Sequence, residues 1–314
     1  MTERVAILGA GLIGRAWAVG FARGGCEVAL WDAVPGAVNA ALAWVPGAVA
    51  ELEGAGFLSD PAEAVVGRIT VAETLEGALE GAAHVQENIA EDREVKRAFL
   101  ARVDAAAAPE TVIASSTSAL MPSIIFEGLA GAARCLVAHP INPPHLVPAV
   151  ELVPGPQTSD ATMDRTDALM RRIGQAPVRL ASEVDGFVVN RLQGALLDEA
   201  FRLVAAGHAR AEDIDVSIRD GLALRWSFMG PFETIDLNAP GGIADYIARY
   251  GPLYDRLNIG AEGRADWYGA LSARLEEERR ACLPLDHLPQ RSRWRDEHLV
   301  ALRAHKRRTG LEES

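Results

Sequence analysis

The chain has 314 residues, 49% of them apolar and 24% charged, and a formal net charge of −12. That balance excludes the basic stripe a nucleic-acid surface needs, and the length exceeds what one core fills efficiently, so two domains are expected. Cys26, Cys135 and Cys282 are too few and too far apart for a disulfide framework or a metal-ligand set. No apolar run is long enough to span a membrane, and no basic, apolar leader precedes the first strand. The expectation is a cytoplasmic protein with no metal, membrane or nucleic-acid partner.

The first elements alternate. Val5-Ala6-Ile7-Leu8 reads as a buried strand, Leu12 to Arg23 as a helix, and Glu27 to Trp31 as a second strand closing on Asp32. Pro35 opens another helical stretch. Further strands read at Ile69–Val71, Ala83–Glu87, Thr111–Ala114 and Arg134–Ala138, with a helical pattern from Arg93 to Val103 between two of them. Strands separated by helix-length segments form βαβ units, whose right-handed crossovers place helices on both faces of a parallel sheet. From Gly186 the pattern changes: Phe187 to Ala206 and Ala211 to Leu222 carry helical spacing. Beyond a Gly/Pro-rich passage (Met229 to Gly242), the rest also reads helical. The fold class predicted is α/β, a Rossmann-type, doubly wound, mainly parallel sheet followed by an all-α C-terminal domain. The boundary falls near Glu183–Asp185, dividing the chain into 1–184 and 185–314. The charged stretch from Arg291 to Arg308 reads as a solvated helix face, with a subunit contact as the other reading.

Gly9-Ala10-Gly11-Leu12-Ile13-Gly14 is a GxGxxG that directly follows a strand and opens a helix, with Asp32 23 residues after Gly9. Gly9 permits the tight turn, Gly11 lets the backbone approach a pyrophosphate, and Gly14 lets helix and strand pack closely. The helix start, at Leu12 and Ile13, offers N–H groups and partial positive charge to phosphates. Asp32 is placed to accept hydrogen bonds from an adenosine ribose and would repel a 2′-phosphate. The pattern therefore predicts NAD rather than NADP; FAD uses the same fingerprint, but nothing else in the sequence calls for it.

A second constellation follows a strand. His139 lies in the proline-stiffened run His139-Pro140-Ile141-Asn142-Pro143-Pro144, and twelve residues on, Glu151 interrupts the apolar run Ala149 to Val153. A carboxylate among apolar neighbours demands a partner. Histidine is the commonest general base, and a carboxylate on one ring nitrogen fixes the tautomer and stabilises the imidazolium. A structural histidine with a separately paired Glu151 satisfies the same spacing.

These residues, preceded by Ser115-Ser116-Thr117-Ser118 and followed by Gly186-Phe187-Val188-Val189-Asn190-Arg191-Leu192, resemble the L-3-hydroxyacyl-CoA dehydrogenase superfamily. Met163–Met170, Gly230–Thr234, Leu237–Ala239 and Trp294–Glu297 are most similar to its lambda-crystallin, or L-gulonate 3-dehydrogenase, branch. The resemblance implies an NAD-dependent oxidation at the 3-hydroxyl of a small hydroxy acid, with His139 as base, Glu151 as its partner, and Ser118 and Asn190 orienting the substrate. It also implies that Glu91 and Lys96 contact the nicotinamide half of the cofactor, although alone they read as a helix-start acid and a surface lysine. It further implies a homodimer formed through the second domains. Two departures favour a free acid over a CoA thioester. Ser116 stands where the acyl-CoA enzymes carry asparagine, and Gly221 to Phe228 is longer than in those enzymes. Arg225, in that longer passage, is the expected partner of a substrate carboxylate; a structural salt bridge is the other reading. A 3-hydroxyacyl-CoA and L-carnitine, the latter against Trp226 and Phe228, are alternative substrates, although both aromatics read more readily as core residues. A non-catalytic, crystallin-like NAD-binding protein is the alternative of another class.

Overall fold

A computed structural model describes residues 3–227, 230–236, 238 and 242–257, together with scattered positions between 284 and 310. The expectations for Cys282, Phe228 and Trp294, and for helix between 258 and 283, lie outside the described residues.

The strands are β1 (Arg4–Leu8), β2 (Glu27–Trp31), β3 (Ile69–Val71), β4 (His84–Glu87), β5 (Val112–Ser115), β6 (Cys135–Pro140), β7 (Ala149–Pro154) and β8 (Ala176–Arg179). The helices of the same region are α1 (Leu12–Arg23), α2 (Ala37–Gly54), α3 (Ala62–Gly67), α4 (Leu75–Leu79), α5 (Arg93–Ala106), α6 (Pro122–Ile125) and α7 (Asp160–Arg172). They are followed by α8 (Val189–Ala205), α9 (Ala211–Val216), α10 (Ala223–Trp226), α11 (Pro231–Asp236) and α12 (Gly242–Leu257).

All eight strands form one sheet in the order β3-β2-β1-β4-β5-β6-β7-β8. Every neighbouring pair is parallel except β6 and β7, which run antiparallel. The expected α/β class, a mainly parallel sheet followed by helices, is the observed one. Alternate residues of a strand serve opposite faces: Val5 and Ile7 join Trp17, Phe21 and Leu30 in one core layer, while Ala6 and Leu8 join Val85, Leu100 and Val137 in the other. Burial on both faces is why β1 reads as an unbroken apolar run. Among the described residues, no helix is long and apolar enough to cross a membrane.

Chain contacts divide the molecule into two units, residues 1–189 with 299–304, and residues 190–298 with 305–314. Val300 and Ala304 pack against the core layer that contains Trp17 and Phe21, so this part of the charged terminal stretch is not simply a solvated face.

Three local readings are corrected. Helix α8 starts at Val189, not Phe187, because Gly186 and Phe187 both sit in the left-handed region, at φ 75° and 51°. A bulky residue there is held at a cost of about 1–3 kcal/mol by its surroundings. The helical run read from Ala211 to Leu222 passes through a π-turn over Ser217–Leu222 and continues to Trp226. Strand β8 carries no apolar run to announce it, being an edge strand with three of its four residues exposed.

Candidate active site

The C-terminal ends of β1, β4, β5 and β6 are adjacent in the sheet, and a loop carrying predicted site residues leaves each of β1, β4 and β5 there. This is the edge at which open α/β sheets bind ligands. At β1 the glycines act as expected of a cofactor cradle. A Cβ on Gly14 would lie 1.8 Å from the Gly9 carbonyl oxygen, whereas one on Gly11 would meet nothing within 4 Å. Helix α1 thus presses against the loop through Gly14, and the space above Gly11 stays open, with room for a phosphate. The N–H groups of Leu12, Ile13 and Gly14 have no acceptor among the described residues, as at any uncapped helix N-terminus, and they are free to meet an anion. Asp32 has a second task. Its carboxylate accepts the Ala10 N–H at 2.6 Å and the Val34 N–H at 2.7 Å, bracing the glycine loop while each oxygen keeps a further lone pair.

The antiparallel hairpin sets the second constellation. His139 and Glu151 are direct cross-strand partners in the β6–β7 register, so both side chains leave the same face at close range. Glu151 is fully buried; its Oε2 lies 2.8 Å from Nδ1 of His139, and its Oε1 accepts the N–H groups of Val188 (2.7 Å) and Val189 (2.9 Å). These donors belong to the start of α8, where N–H groups are otherwise unsatisfied. Burial pushes the Glu151 carboxyl up, but the His139 bond and the two amides outweigh it and hold the group below the usual glutamate range. With Glu151 ionised, Nδ1 of His139 is the donor, and the lone pair of a neutral imidazole sits on Nε2, which has no hydrogen-bond partner among the described residues. The ring of Phe187 packs on the imidazole, with centroids 5.6 Å apart.

Lys96 is 1% exposed rather than a surface lysine. Its ammonium donates to Glu87 Oε1 at 2.7 Å and to the Ile89 carbonyl at 3.1 Å, and pairs with Glu91 Oε2 at 3.4 Å. Its three donors are therefore directed at groups of the chain itself. Glu87, fully buried, also accepts the Ile89 N–H and the Ser115 hydroxyl. Glu91 accepts the Thr117 hydroxyl at 2.5 Å and the Ser118 N–H at 2.8 Å through one oxygen. Burial works against its ionisation, but Thr117, Lys96 and the Ser118 amide together keep its carboxyl below the ordinary range. Sequence reasoning missed Glu87, whose placement at the end of a strand run gave no sign of its partner. Ser118 itself is exposed, on a loop that this network holds by its backbone.

Ser116 is tied into a buried polar cluster. It receives hydrogen bonds from Gln86 Nε2 (2.7 Å) and Trp17 Nε1 (3.1 Å) and donates to Asn88 Oδ1 (2.7 Å). Gln86 in turn accepts from Nε2 of His84 at 3.1 Å, and Nδ1 of His84 is buried without a partner among the described residues. Burial, against the opposing Gln86 bond, pushes the His84 pKa down to about 4. The unfolded chain binds this proton near pH 6.5 and the folded one does not, so folding stability falls as pH drops from about 6.5 to about 4, by about 3 kcal/mol. Urea unfolding of the wild type and of His84→Gln should show the wild type losing that much more across this window. A constant difference between them would refute the expectation.

Asn190 and Arg225 belong to the helical unit. Asn190 is the second residue of α8 and is exposed. Arg225 is exposed on α10 and makes no ion pair among the described residues, so the salt-bridge reading finds no support there. Its charge acts on the phenol of Tyr246 in α12, whose hydroxyl lies 2.8 Å from that of Tyr254. Trp226 is 38% exposed and so not a core residue.

The chain is similar to known proteins along most of its length. Residues 4–184 match the 3-hydroxyacyl-CoA dehydrogenase NAD-binding domain, and residues 186–259 match the 3-hydroxyacyl-CoA dehydrogenase C-terminal domain. The chain is 43% identical to lambda-crystallin of Oryctolagus cuniculus, over 96% of each protein. It is 38% identical to an L-carnitine dehydrogenase of Streptomyces coelicolor, over 84% of this chain and 88% of that one. The crystal structure of 5-formyl-3-hydroxy-2-methylpyridine 4-carboxylic acid 5-dehydrogenase, an NAD+ dependent dismutase, superposes with a TM-score of 0.83 at 28% identity, covering 96% of this chain and 98% of that one. With both domain models matched in order and relatives alike over nearly their whole length, the chain belongs to the 3-hydroxyacyl-CoA dehydrogenase family and its first domain is an NAD-binding domain.

Proposed function

We propose that the protein oxidises the 3-hydroxyl of a small free hydroxy acid, with L-gulonate the leading substrate, and that residues 185–314 form its substrate and dimerisation domain. The observation that carries this reading is the buried His139–Glu151 pair, with its 2.8 Å contact and an Nε2 that has no hydrogen-bond partner among the described residues. His139 takes the hydroxyl proton at Nε2, and Glu151, kept ionised by the Val188 and Val189 amides, stabilises the imidazolium that results. Ser118 and Asn190 hydrogen-bond the substrate oxygen and orient the alcohol. NAD, when bound, supplies the acceptor for the C3 hydride. The glycine loop holds its pyrophosphate, Asp32 its adenosine ribose, and Glu91 its nicotinamide half. Lys96 serves that half by fixing Glu91, since its own donors are taken.

Arg225 pairs with the substrate carboxylate, an arrangement a guanidinium suits by offering two parallel donors. The exposed Trp226 favours a second reading, L-carnitine, whose quaternary ammonium packs well on an indole face. NADH formation should be followed with L-gulonate, L-carnitine, 3-hydroxybutyrate and 3-hydroxybutyryl-CoA. The expected result is the highest kcat/KM with L-gulonate, and a KM for it raised about tenfold or more by Arg225→Met. Preference for carnitine or the thioester would replace the substrate assignment, and an unchanged KM would remove Arg225 from it. Tight NADH binding with no turnover of any of the four would favour a non-catalytic protein.

A further inference from the structure

We infer that Phe187 is a positioning residue of the reaction, whose ring fixes the face of the His139 imidazole while its turn delivers two backbone amides to Glu151. The inference rests on His139 being the base. Phe187 has φ 51° and directly follows Gly186 at 75°, and it is the one non-glycine residue with positive φ among the described residues. Asparagine, aspartate or glycine fills such a position with less strain; here it holds a large apolar side chain that is fully buried. A simple turn into α8 has no need of that residue.

The geometry gives it a task. The bond from Nδ1 to Glu151 restrains the imidazole, but within the tolerance of a hydrogen bond the ring can still turn about Cβ–Cγ. That torsion tilts the ring plane and re-aims the Nε2 lone pair while the bond is only bent. The Phe187 ring, 5.6 Å away centre to centre and tilted by 53°, stands against the imidazole and blocks this motion. The next two residues supply the amides that bind Glu151 Oε1 at 2.7 and 2.9 Å. One strained turn thus constrains both members of the pair. Removal of the strain by a residue without a ring should give a better-tolerated turn and a poorer catalyst.

Three full-length variants test this. Phe187→Ala removes the ring and keeps the strained backbone, Phe187→Gly removes both, and Phe187→Tyr keeps a ring. In 15N-histidine-labelled protein, the downfield Nδ1–H proton signal, assigned by its loss in His139→Gln, reports the His139–Glu151 bond without substrate. The expected result is loss or exchange broadening of that signal in Phe187→Ala and Phe187→Gly. Their kcat should fall about 100-fold with NADH affinity within about threefold of wild type, and Phe187→Tyr should recover at least about tenfold of the rate lost in Phe187→Ala. If Phe187→Ala does not fold, Phe187→Gly, which adopts the turn freely, decides alone. A sharp signal and wild-type kcat in Phe187→Gly would overturn the inference and leave Phe187 as packing. Retained activity in His139→Gln would overturn the base assignment instead, and the proton signal would then still decide whether the ring positions the imidazole.

Discussion

His139→Gln is expected to lower kcat by about three orders of magnitude while NADH affinity stays within about twofold of wild type. General-base catalysis by a positioned side chain contributes roughly 10²–10⁴ in rate. His139 is buried to 6% exposure, so bulk water would be a poor substitute for it as a base. Glutamine can still hydrogen-bond a substrate hydroxyl, but it cannot hold the proton. Glu151→Gln should also lose most of the rate, by a different route. The carboxylate now serves three donors, one from His139 and two from backbone amides. An amide has one oxygen for all three and no charge to balance an imidazolium. Its NH2 group would also oppose either the Val188 and Val189 N–H groups or the Nδ1 donor, so this variant should lose stability where His139→Gln does not. NADH fluorescence titration and initial-rate measurements, beside thermal melts, separate the two. A kcat within tenfold of wild type for His139→Gln would remove it from the reaction.

How much of this is legible without coordinates depends on how local the physics is. The glycine loop is legible because backbone freedom and close approach are properties of single residues next to one another. Asp32 is only half legible: the expectation that it meets a ribose follows from its place after β2, but its bonds to Ala10 and Val34 require the loop to have folded over it. The twelve-residue spacing of His139 and Glu151 does not reveal a direct pair until the hairpin register sets them opposite one another. Phe187 defeats helical periodicity, because an apolar residue in phase with α8 gives no hint of a left-handed φ. Strand β8 escapes because Ala176-Pro177-Val178-Arg179 lies at the sheet edge, where proline is tolerated and exposure removes the apolar signature.

Lys96 is the residue whose surroundings depart furthest from its sequence environment, and Lys96→Met should be the most destabilising of these substitutions. A methionine fits the volume of the aliphatic stem but leaves the fully buried Glu87 carboxylate with only the Ile89 N–H and the Ser115 hydroxyl. Removal of one partner from a buried ion pair costs about 3–5 kcal/mol. For a domain of this size that corresponds to a melting temperature lower by about 10 °C. Glu91 loses its cation as well, so its carboxyl should shift upward and its hold on the Ser118 amide weaken. The double variant Glu87→Gln with Lys96→Met should recover part of the loss, because the unpaired charge is gone while an amide oxygen remains for Ile89 or Ser115. Calorimetry on both variants checks the stability claim, and a fall below about 1 kcal/mol for the single variant would contradict it. NADH titration at a temperature where both are folded distinguishes an indirect role from a direct one. If Lys96 acts through Glu91, Lys96→Met and Glu91→Gln should weaken NADH binding by similar factors, with no further loss on combining them. If the ammonium touches the nicotinamide half itself, the two losses should multiply.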